Sequence, residues 1–409
     1  MIKLGALVLA ALLLAGAPMV TAQRAPIKIG LLTPLTGPLA ANGKELENGL
    51  KLFLDENGNK LAGREIRLFV EDTEAKPATA LTKARALIDG QSVQLLVGPL
   101  ATAEAYALLP YIDARKIPTL SPTVAAEDLT QRRRSAWVVR TGWSAGQPAQ
   151  PFGRWVRETL KYKKMATIAQ DFAFGHESTA AFQRTFEEAG GQIVQRLYAP
   201  LGTADYGPYL ATLRRDVDGV YAAAAGADAL RLVRQYADAG LKERLPLVGS
   251  GNFTDEHVLR NMDDTALGII TALHYSAALA TPANQRFVKA YAAKYGQVPS
   301  YYSEGPYVAG IILKAALEAT GGEVEDPAKL VAALHRVSIT DAPRGPISFD
   351  EFGHPIQNIY VRRVERVDGK LQNIVIHTFS NVSQFWTYKP DEFLKNPVYS
   401  REWPPCRGC

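Results

Sequence analysis

Val97-Gly98-Pro99-Leu100-Ala101-Thr102-Ala103-Glu104 decides the fold. The apolar run Val93 to Val97 before it reads as a buried strand. After it, Leu108, Leu109 and Ile112 share one side of a helical pattern. Gly98 and Pro99 punctuate the turn between the two. The first N–H groups of that helix have no intrahelical partner, and they face out past the carboxyl end of the strand with the positive end of the helix dipole behind them. A carboxylate is well placed there. The Thr102 hydroxyl can cap the helix or bond a ligand. Taken alone, the stretch is better explained as an ordinary strand-to-helix turn capped by Thr102.

At 409 residues the chain exceeds what one hydrophobic core usually serves, so two domains are expected. It is 47% hydrophobic and 21% charged, with a net charge of +5, a globular composition. The densest basic run, Arg132-Arg133-Arg134, has no interleaved aromatics and reads as a solvated face rather than a nucleic-acid site. Residues 1–22 read as an export signal: Lys3, an apolar run from Leu4 to Ala15, and Val20-Thr21-Ala22 before a cleavage point at Gln23. No cysteine stands at that point, so no lipid anchor is expected. Both cysteines close the chain, and an oxidising compartment favours a local disulfide between Cys406 and Cys409.

From Pro26 strands and helices alternate, which predicts parallel α/β sheets. Strand, small-residue turn, helix, short strand, small-residue turn describes Val93 to Thr123, and the same order describes Val217 to Asn252. Two similar lobes are therefore expected, with a site in the cleft where the carboxyl edges of their strands face each other. A hairpin follows, Ile347 to Asp350 with Ile359 to Val364, and an aromatic, Pro-rich tail begins near Asn381. Catalytic signatures are missing. The six histidines are scattered without metal-ligand spacing, and no nucleophile elbow, phosphate loop or zinc-protease motif occurs. No cofactor and no enzyme activity are expected.

The combination resembles the periplasmic solute-binding proteins of branched-chain amino acid ABC transporters, the Leu/Ile/Val-binding-protein-like type I family. Ile29-Gly30-Leu31-Leu32 with Thr36-Gly37-Pro38, Val97-Gly98-Pro99, Ser121-Pro122, Arg140-Thr141, Phe174-Gly175, and Gly345-Pro346-Ile347 with Phe349-Asp350 carry the match across roughly residues 27–365. The resemblance implies two Rossmann-like lobes joined by a three-crossing hinge, with crossings near Trp143, His274 and Phe352. Residues 26–142 plus 275–350 then form lobe 1, residues 143–274 plus 353–380 form lobe 2, and 381–409 form a tail. It also implies capture of a small-molecule carboxylate by hinge closure and delivery to a membrane permease, by a monomer with no nucleic-acid partner. The carboxylate would be held at Leu100, Ala101, Thr102 and Ala103 and at the loop containing Ser121, Thr123 and Ala125. Phe174 would cover the ligand.

Departures from the family pattern shape the ligand. Amino-acid-binding members hold the ammonium with acids where this chain has Ser144 and Gly251. An ammonium buried without a carboxylate costs several kcal/mol. Asp171 could substitute, but it stands at a common family position. Ala222 to Ala225 replaces bulkier residues and leaves room, so Ala225 is assigned to the site. The expected ligand is an acid without an α-amine and with a flat apolar body, as in the benzoate- and phenylpropanoid-binding branch. Asn252 and His274 could bond a ring substituent, or close a turn and sit at a hinge, respectively. Trp143, Phe172 and Phe253 stand as stacking surfaces or as core. The alternatives are an amino acid ligand, a periplasmic ligand sensor and a secreted hydrolase.

Overall fold

A computed structural model describes residues 24–37 and 39–409. The export signal and Pro38 of the Thr36-Gly37-Pro38 match lie outside the described residues. The first sheet contains β1 (Ile27–Thr33), β2 (Lys60–Leu61), β3 (Arg64–Asp72), β4 (Leu95–Val97), β5 (Thr119–Ser121) and β6 (Val138–Arg140). Its order is β2-β3-β1-β4-β5-β6, and every pairing except β2 with β3 is parallel. The second sheet contains β7 (Lys164–Gln170), β8 (Gln192–Ala199), β9 (Gly219–Ala223), β10 (Leu247–Ser250), β11 (Ile270–Leu273), β12 (Ile347–Phe349), β13 (Pro355–Val367) and β14 (Lys370–Val382). Its order is β12-β13-β11-β10-β9-β7-β8, with β14 on β13. The strands from β7 to β11 pair in parallel, whereas β12, β13 and β14 are antiparallel. Each lobe is thus a parallel α/β sheet with an antiparallel margin.

Sequence pattern accounts for the arrangement. β1 is buried on both faces, as a strand between two parallel neighbours must be. Helices α1 (Ala40–Glu56), α2 (Pro77–Arg85) and α3 (Thr102–Arg115) belong to the first lobe, and α4 (Gly146–Glu158), α5 (Ala173–Glu188), α6 (Gly207–Thr212), α7 (Gly226–Asp238) and α8 (Glu256–Leu259) to the second. The chain then returns: α9 (Pro282–Tyr295) and α10 (Tyr301–Ala319) pack on α1, and α11 (Pro327–His335) on β6. The repeat read from the sequence is real. β4-α3-β5 and β9-α7-β10 are both units of adjacent parallel strands joined over a helix.

Gly98 shows why the opening turn needs its glycine. Its φ is +105°, and a Cβ there would come within 2.2 Å of the Leu32 carbonyl oxygen at the end of β1. Gly98→Ala is expected to cost about 2 kcal/mol of stability, measured by urea unfolding.

Two boundaries differ from the sequence expectation. Residues 347–349, assigned there to lobe 1, pair with β13 in the second sheet. The third crossing accordingly lies at residues 336–346, before β12. Phe352 instead occupies the β12–β13 turn, where its ring meets Phe385 at 5.1 Å. The tail also joins the core of the second lobe. Phe385, Phe393 and Tyr399 are buried in one cluster with Phe152, Trp155, Phe182 and Phe186 of α4 and α5. Cys406 and Cys409 are disulfide-bonded.

A buried arginine stands at each crossing. Arg140 donates to the carbonyls of Val124, Ala126 and Trp143. Arg362 donates to those of Tyr275 and Gly251, at 2.7 and 2.8 Å. Arg344 clasps both oxygens of Glu304 at 2.8 and 2.7 Å, and also donates to Thr141 O at 3.1 Å and Gln357 Oε1 at 3.0 Å. Carbonyls at the crossings are not satisfied by sheet ladders, and multidentate guanidinium donors supply the missing partners.

Candidate ligand-binding site

Because the central strands are parallel, the loops after β4, β5 and β6 leave one edge of the first sheet, and those after β7, β9, β10 and β11 leave one edge of the second. The two edges share one apolar cluster. Leu100, Ala125 and Trp143 belong to it together with Phe174, Leu273 and Tyr301, and Phe172 and Ala225 pack against it. The lobes are therefore closed on each other. Three rings meet at their junction: Trp143 stacks on His274 at 5.9 Å between centroids, and Tyr301 stands edge-on to both, at 5.8 and 5.9 Å. Phe174 is edge-on to Trp143 at 6.2 Å.

Hydrogen-bonding groups without protein partners crowd these loops. Buried and unpartnered are Ser121 Oγ, Thr123 Oγ1, Trp143 Nε1, Ser250 Oγ, Asn252 Oδ1 and both ring nitrogens of His274. Each such group costs about 1–3 kcal/mol when it stays unpaired. Their grouping along facing strand ends marks where an external molecule can supply partners. His274 is fully buried; burial first, then the charges of Arg344 and Arg362, push its pKa well below the usual value. Its imidazole is neutral and offers one donor and one acceptor.

At the start of α3, Thr102 is half-buried and its hydroxyl does not cap the helix; Ala101 is the capping position, and Ala103 is exposed. The Ala101 N–H already donates to Glu104 Oε2 at 2.9 Å. Burial raises the Glu104 pKa, against the hydrogen bond from the Ala101 N–H that lowers it. Glu104 therefore shares the positive helix end with any incoming anion. Its position three residues past the cap is the sequence signal for that role.

The remaining positions separate. Ser144, next to Trp143, also has its hydroxyl buried without a partner, so it stands with the unpaired groups of the site. A Cβ on Gly251 would lie 2.4 Å from the Leu273 Cβ, so no acid fits there. The Ala225 N–H is held by Gln170 Oε1 at 3.1 Å, which fixes the loop after β9. Asn252 Nδ2 donates to the Tyr301 hydroxyl at 2.6 Å, directly between the lobes. Asp171 is occupied by His176 Nε2 at 2.8 Å and Arg401 Nη1 at 3.2 Å. Phe253 is fully buried in the second lobe's own core, which settles it as core. Tyr301 was missed, since an aromatic at a helix start carries no chemical signature. Glu45 was missed too. On α1 its carboxylate accepts from His257 Nδ1 at 2.9 Å, Arg260 Nη2 at 2.7 Å and the Ser300 hydroxyl, so α1 of one lobe is clasped by α8 of the other.

Two α/β lobes closed face to face, with unpaired hydrogen-bonding groups and ring planes between them, define a two-lobed binding protein. The chain belongs to the periplasmic binding protein family, which it matches over residues 26–370. It is 32% identical to the Leu/Ile/Val-binding protein homolog 6 of Brucella melitensis biotype 1 over 361 residues, 86% of this chain and 91% of that one. An ABC transporter substrate-binding protein from Sphaerobacter thermophilus superposes with a TM-score of 0.84 at 36% identity, covering 88% of this chain and 99% of that one. A solute-binding protein of an ABC transporter from Rhodopseudomonas palustris BisB5, solved in complex with 3,4-dihydroxybenzoic acid, superposes with a TM-score of 0.83 at 34% identity, covering 88% and 98%. The protein is thus a solute-binding protein of an ABC transporter, in a family of binding proteins rather than enzymes. Among the described residues no helix is long and apolar enough to cross a membrane.

Proposed function

We propose that this protein captures an aromatic carboxylic acid of benzoate or phenylpropanoid type outside the cytoplasm and delivers it to a membrane permease. The observation that carries the reading is the aromatic junction of Trp143, His274, Tyr301 and Phe174, flanked by unpartnered hydrogen-bonding groups. A flat ring suits the aromatic faces. The free N–H groups at the start of α3, with Thr102, Ser121 and Thr123, suit its carboxylate, and neutral His274 or Asn252 suits a ring hydroxyl. Asp171 is paired with His176 and Arg401, Asp255 accepts from the N–H groups of His257 and Tyr301, and Glu104 accepts from the Ala101 N–H through Oε2 while its Oε1 has no partner. Burial raises the pKa of both Glu104 and Asp255, which disfavours the charged form that an α-ammonium would need as partner. Two similar structures at 34% and 31% identity are complexes with dihydroxy- and hydroxybenzoic acid, which supports the same class.

Ligand contacts to both lobes stabilise the closed state over the open one. The chain works as a monomer, exported by the signal at residues 1–22 and cleaved near Ala22. Refolded, ligand-free protein is expected to gain thermal stability with benzoate, hydroxybenzoates or cinnamates but not with leucine, valine or glutamate. Ligand at 100 times its dissociation constant adds about 2.7 kcal/mol, enough to read as a melting shift. Thr102→Ala is expected to weaken the bound acid roughly tenfold, the scale of one hydrogen bond to a charged group. A shift with leucine alone would replace this reading with amino acid transport.

A further inference from the structure

The tail reaches back to the rim of the second lobe. Arg401 Nη1 lies 3.3 and 3.2 Å from the two oxygens of Asp171, which directly follows β7 at its carboxyl end. The Arg401 guanidinium also covers the Tyr198 ring at 5.0 Å, and His176, the second partner of Asp171, stands edge-on to that ring at 5.0 Å. The position of Arg401 is built, not incidental. Tyr399 is buried and stacks on Trp403 at 5.3 Å. Gln183 and Arg196 donate to the carbonyls of Pro405 and Pro404 at 3.2 and 3.1 Å. The Cys406–Cys409 disulfide closes the chain against Ile193 O. Glu402, the other charge beside Arg401, points to the Ser400 hydroxyl at 3.0 Å.

We propose that Arg401 is a specificity-determining residue: by neutralising Asp171 it removes the rim acid that would attract an ammonium and repel a carboxylate, and so tunes the site toward acids without an amine. The inference rests on the carboxylate reading of the site. Arg401 touches Asp171 rather than the ligand, so it acts as a positioning residue through that acid. Asp171 follows β7 at the sheet edge that borders the site, and its neighbour Phe172 packs against the junction cluster. With Arg401 and His176 on it, the rim presents no net negative charge. Without Arg401, a carboxylate ligand meets an acid across the mouth while a zwitterion does not suffer the same repulsion.

3-Phenylpropionate and phenylalanine share ring and carboxylate and differ by the α-ammonium, so their affinity ratio isolates the effect. Calorimetric titration at low ionic strength of the wild type, Arg401→Ala, Arg401→Glu and Arg401→Ala with Asp171→Asn tests it. Arg401→Ala is expected to lower the phenylpropionate-to-phenylalanine ratio about threefold, the scale of an exposed charge pair, and Arg401→Glu by more. Adding Asp171→Asn is expected to restore the ratio, which a tail that merely props the lobe would not do. An unchanged ratio in Arg401→Ala, or one that Asp171→Asn fails to restore, overturns the inference while the carboxylate reading stands. A wild type that binds phenylalanine but no aromatic acid overturns both.

Discussion

Arg344→Met is expected to lower the stability measured by urea unfolding by about 3–5 kcal/mol, the cost of leaving one partner of a buried ion pair alone. Arg344 and Glu304 are both fully buried, so solvent does not screen the pair. Burial pushes the Glu304 pKa up and Arg344 opposes it. Removing the arginine leaves a carboxyl group that must take up a proton or remain charged in an apolar surround. It also strips donors from Thr141 O and Gln357 Oε1, which join the first crossing to β13. Arg344→Met with Glu304→Leu is expected to recover most of the loss, since apolar replacement of both partners is often neutral or stabilising. A single variant as stable as the wild type would mean that the pair contributes nothing at the hinge.

The second large effect concerns closure. Glu45→Gln is expected to raise the dissociation constant of every ligand about tenfold, because a hydrogen bond to a charged group contributes about 1.5–3 kcal/mol and this one joins the lobes. Lowering the population of the competent closed state weakens all ligands by the same factor. A loss confined to one ligand would place Glu45 in the ligand site instead. The pH dependence follows from the same carboxylate. Burial pushes the Glu45 pKa up, but the hydrogen bond from His257, the charges of His257 and Arg260 and the Ser300 hydroxyl outweigh it, so the group stays below its ordinary 4.5. A lowered carboxyl pKa means the clasp is fully present above that ordinary value and is lost as pH falls through the lowered one. Affinity in the wild type is expected to hold from neutral pH down to that range and then drop, with the drop smaller in Glu45→Gln. Titrations of both proteins across pH check this.

The elements divide sharply by how far local sequence specifies them. β1, β4 and β9 are short apolar runs ended by small-residue turns, and burial between parallel neighbours makes such runs legible. The repeat of strand, helix and strand gave two lobes, and parallel strands put their loops on one edge. Thr102, Ser121, Thr123, Phe174, Asn252 and His274 were therefore placed along the facing strand edges from order alone. Gly251 was read as a missing acid, and the packing of Leu273 against it shows why an acid has no space.

The sequence by itself determined the strand-helix rhythm, the two lobes, the loops gathered along the strand edges and the cysteine pairing, because each depends on local pattern or on residue type at a turn. Tertiary structure alone decided the rest. Partners such as Glu45 with His257 lie 212 positions apart, Arg344 with Glu304 40, and Arg401 with Asp171 230. No periodicity encodes which distant charges meet, because the pairing is set by how two lobes and a tail pack. For the same reason the third crossing falls before β12: a hairpin strand must join the sheet of its partner, wherever the sequence draws the boundary.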